Sequence, residues 1–261
     1  MFIQNQKERQ DIWTETCQVR FADIDCSDRL TVASVFNFFQ EAAISHAENL
    51  GVGRDSMART GQVWLLSRMS VLVDRRPQYG ETVTVRTWPR GGEKLFAVRD
   101  YDIRDAADVP VVRGRSGWLV IDMEKRRPLR PQSIMDNLPQ NEGVDALPSG
   151  AAGLSQREDL RKTAERAAAY SDLDYNGHVN NVSYIRWIQD ALDPKLLENA
   201  SQMRLDINYL NETLPGDIVQ IWTAPVEAGD VVPENFSAFA VEGRRTGDQA
   251  VFRAELRLSE K

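Results

Sequence analysis

The sequence predicts an α+β fold made of two similar halves, each with one long helix packed against an antiparallel sheet. The first observation behind this prediction is an internal repeat: residues 21–42 align without a gap with residues 170–191, and residues 68–88 align with residues 204–224. The second and third are a helical apolar period inside each copy and the alternating strand-like runs that follow it. Because both blocks recur in the same order, chance similarity between amphipathic segments does not explain them.

Each copy contains one amphipathic helix near its start. Its apolar side chains recur with a period near 3.6 residues, which places them on one face. They are Val32, Val35, Phe36, Phe39 and Ala43 in the first copy, and Val182, Ile185, Trp187, Ile188 and Leu192 in the second. Either Asn180 or Asn181 is expected to cap the second helix, since an asparagine side chain accepts hydrogen bonds from the N–H groups of a first turn.

Four strands are expected after each helix, because apolar and polar residues alternate there. They cover residues 70–75, 82–88, 95–103 and 111–121 in the first half, and residues 204–210, 217–223, 236–243 and 250–258 in the second. Gly80 and Gly216 are expected at turns between strands, and residues 246–249 at a hairpin turn. Each apolar helix face is therefore expected to be buried against the concave side of its own sheet.

The repeat also divides the chain into domains. Residues 1–130 are expected to form the first domain, and residues 170–261 the second. Between them, residues 131–169 contain several prolines and the run SGAAG, which is typical of a linker. The end of this linker, residues 155–169, is rich in helix-forming side chains and is a candidate for a linking helix.

Composition and charge exclude several classes of protein. With 42% hydrophobic and 27% charged residues, the chain has a globular rather than a disordered composition. A net charge of −7 provides no overall basic field for nucleic acid or an anionic membrane. No stretch reaches the ~20 apolar residues of a membrane span, and the polar start lacks the apolar core of a signal peptide. We therefore expect a cytoplasmic protein without a membrane span.

Cysteine and histidine usage points the same way. The two cysteines, Cys17 and Cys26, give no disulfide framework, and they fit a reducing compartment. Together with the two histidines they offer no cluster with the spacing of a zinc site. The chain also lacks a phosphate-binding loop with its lysine at the right spacing. No metal and no cofactor is therefore expected.

Polar side chains that can carry chemistry converge just before the second helix. Asp174, Asn176 and His178 alternate along the segment DLDYNGH. The N-terminus of a helix carries free N–H groups and a positive potential, so it can hold a developing oxyanion. A simple Asn-Gly turn that enters a helix is the alternative interpretation.

The first copy distinguishes these two interpretations. It keeps the aspartate as Asp25, but Ser27 and Arg29 stand where the second copy has the amide and the imidazole. If these residues were needed for the fold, both copies would retain them. We therefore expect two equivalent half-sites of which only the second is an active site, with the shared aspartate partly structural.

The segment D-x-D-x-N-G-H-V-N-N-x-x-Y-I-x-W-I resembles the signature of the acyl-acyl-carrier-protein thioesterases. In the first half, LTVASVFNFFQEAAISHAENLG resembles the N-terminal segment of the same family. The resemblance covers nearly the whole chain and is weakest at residues 130–169. It implies two tandem hotdog domains, which form a pseudo-dimer within one chain, with the acyl pocket in the first and the catalytic residues in the second. It implies hydrolysis of a fatty acyl thioester on its carrier, which releases free fatty acid and ends chain elongation.

The resemblance also implies the residues that act. Asp174, Asn176 and His178 match the catalytic positions of the signature, and the segment INYLNET places a catalytic glutamate at Glu212. Plant members often have a cysteine directly after this glutamate, where this chain has Thr213. A mechanism with that cysteine as nucleophile is therefore not expected.

Several chemical routes stay open. Because the thiol leaving group has a pKa near 8.5, a thioester needs mainly an activated water and an oxyanion site. Either Glu212 or His178 is expected to take the proton of the water, with Asn176 and the helix end polarising the carbonyl. Direct attack by Asp174, which would form an anhydride, is the rival route. Cys26 as a nucleophile with His46 as its base is a weaker alternative.

The partner follows from the same resemblance. Carrier proteins are acidic, so an acidic enzyme needs a local basic patch to meet one. A candidate docking patch, which is otherwise an ordinary solvated surface, consists of Lys125, Arg126, Arg127 and Arg130. A hotdog thioesterase for coenzyme A esters and a non-catalytic acyl-binding module are the alternative functions. Acyl chain length and oligomeric state, with a homodimer as one option, are not determined by the sequence.

Overall fold

The structure, a computed structural model, describes residues 8–150, 153–226 and 236–260. The strands of these residues are β1 (Trp13–Gln18), β2 (Gln62–Val73), β3 (Thr82–Glu93), β4 (Phe96–Arg104), β5 (Pro110–Asp122), β6 (Arg127–Leu129), β7 (Arg161–Ala167), β8 (Ala200–Tyr209), β9 (Ile218–Val226), β10 (Phe236–Arg245) and β11 (Gln249–Glu260). The helices are α1 (Val32–Asn49), α2 (Arg54–Arg59), α3 (Gln132–Met135), α4 (Asn181–Asp190) and α5 (Pro194–Asn199).

All of these strands belong to one antiparallel sheet. Its order is β1-β3-β4-β5-β2 in the first half and continues as β8-β11-β10-β9-β7 in the second, while β6 pairs with β5 outside this path. The second series repeats the first in reverse, so a pseudo-twofold axis passes through the β2–β8 pair. Ser70 pairs with Asp206 at the centre of that pair, and its hydroxyl donates to the Asp206 carboxylate. The predicted α+β fold of two similar halves is confirmed.

The predicted strands and turns are also found. The four strands expected after each helix are β2 to β5 and β8 to β11, and most extend further than expected. Gly80 and Gly216 adopt φ values of 80° and 85°, which glycine reaches without a steric penalty. The hairpin between β10 and β11 turns at Gly247 and Asp248, which also have positive φ.

Each long helix lies against the inner face of its own half of the sheet. Thr31 caps α1 and Asn180 caps α4, with the Asn180 side chain accepting from the N–H of Val182. The expected Asn180 cap is therefore confirmed. Helix and sheet approach so closely that a Cβ atom at Gly114 would come within 2.7 Å of the Phe39 ring. A larger residue at this position would displace the helix.

The prediction of a linking helix over residues 155–169 is wrong. The structure has strand β7 there, paired antiparallel to β9, and the helix α3 elsewhere in the linker has only 4 residues. Helix propensity is a weak preference, and pairing with an open sheet edge outweighs it. β7 takes the edge position that β1 has in the first half. The domain limits 1–130, 131–169 and 170–261 stay a prediction.

A buried histidine joins α1 to the sheet. His46 Nε2 lies 2.8 Å from the Gln10 carbonyl oxygen, so this nitrogen carries the proton. The other ring nitrogen, Nδ1, accepts from Arg99 Nη1 at 3.0 Å, which only a neutral imidazole allows. Burial and the positive charge of Arg99 lower the pKa of His46 from 6.5 to about 4.

The His46→Gln variant should lose less stability in acid than the wild type. Because the pKa of His46 is lower in the folded chain, the unfolded chain binds a proton first as pH falls. Stability present above pH 6.5 is therefore lost between pH 6.5 and 4, by up to about 3 kcal/mol. Urea unfolding at pH 7 and pH 4.5 measures this loss. His178→Gln is the control, which should lose as much stability in acid as the wild type. Equal losses in wild type and His46→Gln would contradict the assignment.

Candidate active site

The turn before α4 is organised by one carboxylate. Asp174 Oδ1 accepts from the backbone N–H groups of Asn176 at 2.8 Å and of His178 at 3.4 Å. The chain closes the turn with a hydrogen bond from the Asp174 N–H to the His178 carbonyl, 2.8 Å long. Gly177 occupies the tip with a φ of 77°, which explains the glycine in the motif. The carboxylate thus shapes the turn and presents Asn176 and His178 on it.

Glu212 reaches this turn from the loop between β8 and β9. Its Oε2 lies 3.6 Å from His178 Nε2, and both side chains keep contact with solvent, the glutamate with 62% of its side chain exposed. Two bonds hold the loop: the Val179 N–H donates to the Thr213 carbonyl at 3.0 Å, and Arg245 Nη1 donates to the Glu212 carbonyl at 3.0 Å. The structure therefore brings together the four candidate residues Asp174, Asn176, His178 and Glu212.

The site lies where the two halves meet. Arg54, at the start of α2 in the first half, places its guanidinium 4.2 Å from the centre of the Tyr175 ring in the turn. The pseudo-equivalent contact joins the first turn to the second half, with Cys26 Sγ 3.2 Å from Glu198 Oε1 of α5. Sequence analysis missed Arg54, because nothing in the repeat shows which elements of opposite halves touch.

The turn of the first half has the same backbone geometry. The Asp25 N–H donates to the Arg29 carbonyl at 3.0 Å, and Asp25 Oδ1 accepts from the Ser27 N–H at 2.9 Å. The alignment of residues 68–88 with residues 204–224 places Arg76 at the position of Glu212. The shared turn is therefore a property of the fold, and the chemistry differs at the positions around it.

Arg76 fills the first half-site. Its side chain is 4% exposed, pairs with the Asp25 carboxylate, and donates to Ser27 Oγ at 3.3 Å and to the Leu197 carbonyl at 3.0 Å. Burial raises the pKa of Asp25, but the Ser27 hydroxyl and the Arg76 charge outweigh this and leave it below its usual range. A cation thus occupies the place where the second half has a free carboxylate. The aligned sequences contained this signal.

The other candidate residues lie apart from this site. Lys125, Arg126, Arg127 and Arg130 lie on and just after the hairpin that joins β5 to β6. The Cys26–His46 pair is wrong, because Cys26 contacts Glu198 while both ring nitrogens of His46 are occupied by Gln10 and Arg99.

The described residues offer neither a metal-binding cluster nor a membrane-spanning helix. In residues 8–150, 153–226 and 236–260, no group of three or more His, Cys, Asp or Glu side chains is placed to hold a metal ion. No helix in the described part of the chain is long and apolar enough to cross a membrane.

Comparison with known families gives a match to each half. The family description "Acyl-ACP thioesterase N-terminal domain" matches residues 10–138, and "Acyl-ACP thioesterase C-terminal domain" matches residues 156–253. Among curated proteins, the chloroplastic palmitoyl-acyl carrier protein thioesterase of Cuphea hookeriana is 28% identical over 84% of this chain. The chloroplastic oleoyl-acyl carrier protein thioesterase 2 of Arabidopsis thaliana is 25% identical over 93% of this chain. The chain spans 56% of the length of the Cuphea protein and 71% of the Arabidopsis protein.

Solved structures agree in fold. An acyl-ACP thioesterase from Bacteroides thetaiotaomicron superposes with a TM-score of 0.79 at 27% identity, over 94% of this chain and 97% of that protein. The 12:0-ACP thioesterase from Umbellularia californica superposes with a TM-score of 0.80 at 21% identity, over 97% of this chain and 95% of that protein. The predicted architecture of two tandem hotdog domains is confirmed.

The Arg76→Ala variant should be much less stable than the wild type. It would leave Asp25 without its cation and remove three contacts of a buried side chain, at a cost of about 2 to 3 kcal/mol in the free energy of unfolding. Arg75→Ala is the matched control, because Arg75 pairs with Glu81 while 43% of its side chain is exposed. Exposed pairs contribute at most about 1 kcal/mol. Urea unfolding compares the two, and similar small losses would show that Arg76 does not hold the first half-site together.

Proposed function

Since the chain belongs to the acyl-ACP thioesterase family, we propose that it is a thioester hydrolase that cleaves fatty acyl-acyl carrier protein, releases free fatty acid and so ends chain elongation. One observation carries this proposal: His178 Nε2 and Glu212 Oε2 lie 3.6 Å apart beside an exposed amide, at a solvent-accessible turn. The named activities of the related thioesterases support it.

The pair is suited to activating water. At a separation of 3.6 Å, one water molecule can bond to both His178 Nε2 and Glu212 Oε2. Either group can then take the proton as the water attacks the thioester carbonyl, and the pair retains it until the thiolate leaves. The thiolate is stable enough near neutral pH to leave without strong acid assistance.

Asn176 is the proposed group that polarises the thioester carbonyl. Among the described residues its side-chain amide makes only a long contact, 3.5 Å from Nδ2 to Asp174 Oδ2, so it is available to a substrate oxygen. The N-terminus of α4 is less available, because the Val182 N–H already donates to the Asn180 side chain at 2.9 Å. We therefore place the oxyanion at Asn176 rather than at the helix end.

Asp174 is proposed to orient the turn rather than to attack the substrate. Its Oδ1 already accepts two backbone N–H groups, those of Asn176 and His178. Asp25 makes the same kind of bonds in the first half, where no catalytic pair stands beside it. An aspartate retained for the turn in both halves needs no role as a nucleophile.

The acyl chain is proposed to enter the first domain beside α2. A small apolar cluster, separate from the main core, contains Leu50 and Ala97 of this domain together with Met135 and Leu138 of the linker. Val52, just before α2, packs against it. Arg54 follows at the start of α2 and contacts the catalytic turn. The proposed path for the acyl chain runs from the catalytic turn past Arg54 and Val52 to this cluster.

The basic hairpin is proposed to dock the acidic carrier. Arg126, Arg127 and Arg130 make no ion pair within the described residues, whereas most arginines of the chain do. The hairpin meets the far end of α2, because the Met123 N–H donates to the Gly61 carbonyl at 2.9 Å. α2 spans about 9 Å. The patch and the catalytic turn thus lie at opposite ends of one short helix.

The free cysteines Cys17 and Cys26 fit the proposed cytoplasmic location.

The variants His178→Ala and Glu212→Ala should each lower kcat for acyl carrier substrate by about a hundredfold or more, the usual scale of lost acid–base assistance. Ser27→Ala and Arg29→Ala are the matched controls at the first turn and should leave kcat nearly unchanged. Steady-state release of carrier thiol measures all four. Near-wild-type hydrolysis by His178→Ala would exclude the proposed base pair, and a large loss in Ser27→Ala with folding intact would show that the first half-site is used.

Charge reversal at Lys125, Arg126 and Arg127 should raise KM for carrier-bound substrate and spare a small acyl-pantetheine thioester. Long-range attraction acts on encounter and orientation, and it is screened beyond about 8 Å at physiological salt, so the effect should shrink as salt rises.

Reversal at Arg157, Arg161 and Lys162, in the region before the second domain, is the control for this docking prediction. It changes the net charge equally and should have little effect on KM. Equal kinetics for the wild type and the hairpin variant at low salt would exclude the docking patch without excluding the hydrolase.

A further inference from the structure

The loop that carries Glu212 is closed by an arginine and an aspartate. Arg245, at the end of β10, donates from Nη1 to the Glu212 carbonyl at 3.0 Å, and the same nitrogen lies 3.5 Å from Asp217 Oδ2. Asp217 Oδ2 also accepts from the N–H of Leu214 at 2.9 Å. The two side chains therefore bond to the backbone on both sides of Thr213 and bracket the segment that begins at Glu212.

The guanidinium of Arg245 is itself held by its neighbours. Its Nε donates to Gln249 Oε1 at 2.8 Å, across the hairpin between β10 and β11. The Arg245 side chain is only 29% exposed, so water competes for it less than for the carboxylate of Glu212. A planar guanidinium bonded to three acceptors has little freedom to rotate. It therefore provides a fixed point against which the Glu212 backbone can be located.

The first half has the opposite charge at this position. Thr87 of β3 and Thr223 of β9 are equivalent in the internal repeat. The residue four places after the strand partner of each threonine is Asp105 in the first half and Arg245 in the second. An ionised carboxylate only accepts hydrogen bonds, so Asp105 cannot donate to a loop carbonyl as Arg245 does. The donor at this position therefore belongs to the half that has the candidate catalytic site.

The acidic partner, by contrast, is present in both halves. Glu81 aligns with Asp217 in the repeat. Its Oε1 accepts from the Gln78 N–H at 2.8 Å, the same kind of bond that Asp217 makes to Leu214. Glu81 pairs with a cation on its own loop, with Arg75 Nη1 2.9 Å from Oε1. Folding of such a loop thus uses the acid but does not need an arginine at the end of the strand.

We propose that Arg245 is a positioning residue that holds the backbone of Glu212, so that the carboxylate stays opposite His178. The inference rests on the proposed hydrolase function of this site. Because Arg245 bonds to the carbonyl of Glu212, a shift of the guanidinium moves the residue that carries the carboxylate. The Val179 N–H ties the next residue, Thr213, to the catalytic turn at 3.0 Å. With both anchors in place, the carboxylate remains where one water can bridge it to the imidazole.

The test compares variants of the full chain at Arg245. Arg245→Ala and Arg245→Gln both remove the guanidinium, and Arg245→Gln keeps part of its stem. Arg245 reaches the carbonyl and the carboxylate through one nitrogen, so the ammonium of Arg245→Lys can bond to the same two acceptors. Arg75→Ala is the matched control, since it removes the cation of the equivalent ion pair in the first half. Partly exposed ion pairs add little to stability, so thermal unfolding should be nearly unchanged in all four.

The expected kinetic result is a lower kcat at nearly constant KM. Misplacement of a catalytic group lowers the rate by roughly tenfold or more. Arg245→Ala and Arg245→Gln should lower kcat by about this factor with KM within about twofold. Arg245→Lys should recover most of the loss, and Arg75→Ala should match the wild type.

A double variant shows whether Arg245 acts through Glu212. If it does, Arg245→Ala should cause no further loss of kcat once Glu212→Ala has removed the carboxylate. Independent effects of the two residues would add instead.

Amide hydrogen exchange supplies a readout that needs no activity. The Val179 N–H donates to the Thr213 carbonyl on the loop that Arg245 holds, so it should exchange faster in Arg245→Ala. The equivalent Leu30 N–H donates to the Pro77 carbonyl at 2.8 Å in the first half and should be unaffected.

Three results would overturn the proposal: folded Arg245→Ala and Arg245→Gln variants with wild-type kcat, losses that add in the double variant, or a raised KM with unchanged kcat, which would place Arg245 in contact with the substrate. A wild-type chain without hydrolytic activity would instead defeat the proposed function. Val179 exchange would then still decide whether Arg245 holds the loop.

Discussion

The antiparallel pairing of β2 with β8 determines where the functional parts of this molecule lie. It joins the two half-sheets edge to edge into one sheet. The strand order of the second half therefore repeats that of the first in reverse. The long helices α1 and α4 then lie beside each other, with the Ala33 N–H donating to Gln189 Oε1 at 3.1 Å. As a result the short helix of each half reaches the turn of the other, as the Arg54–Tyr175 contact shows. In an isolated half, neither turn would be contacted by the short helix of the other half.

The two turns show how one local structure serves different purposes. In both, an aspartate carboxylate binds backbone N–H groups and fixes the approach to a helix. Beyond that shared frame the charges are opposite: the first half has the buried guanidinium of Arg76, and the second has the exposed carboxylate of Glu212. A buried cation that bonds to a carboxylate, a hydroxyl and a carbonyl stabilises the junction but leaves no base for chemistry. The exposed carboxylate of Glu212 beside the imidazole of His178 supplies a base but does not stabilise the junction in this way.

Much of this structure could be predicted from the sequence, because the internal repeat and the hydrophobic periods can be recognised within the sequence itself. The capping role of Asn180, the hairpin and glycine turns, and the strands after each helix all follow from such signals. The linking helix was wrong because pairing of β7 with β9 depends on a distant edge that local propensity does not register. The contact of Arg54 with the turn depends on how the two halves pack in three dimensions. By contrast, the opposite charges of Arg76 and Glu212 at equivalent positions could be read from the alignment of the two halves.

The central claim is that the chain has one hydrolytic site, in its second half, and that the charge at the position of Glu212 separates it from the closed site of the first. The most direct measurement is the rate of thiol release from an acyl carrier protein thioester by the Glu212→Arg variant, which gives the second half the residue that the first half has at Arg76. Because 62% of the Glu212 side chain is exposed, the substitution should leave thermal unfolding nearly unchanged. The account predicts a rate lowered by at least the roughly hundredfold expected for loss of acid–base assistance. A folded Glu212→Arg variant that hydrolyses the substrate at close to the wild-type rate would contradict it.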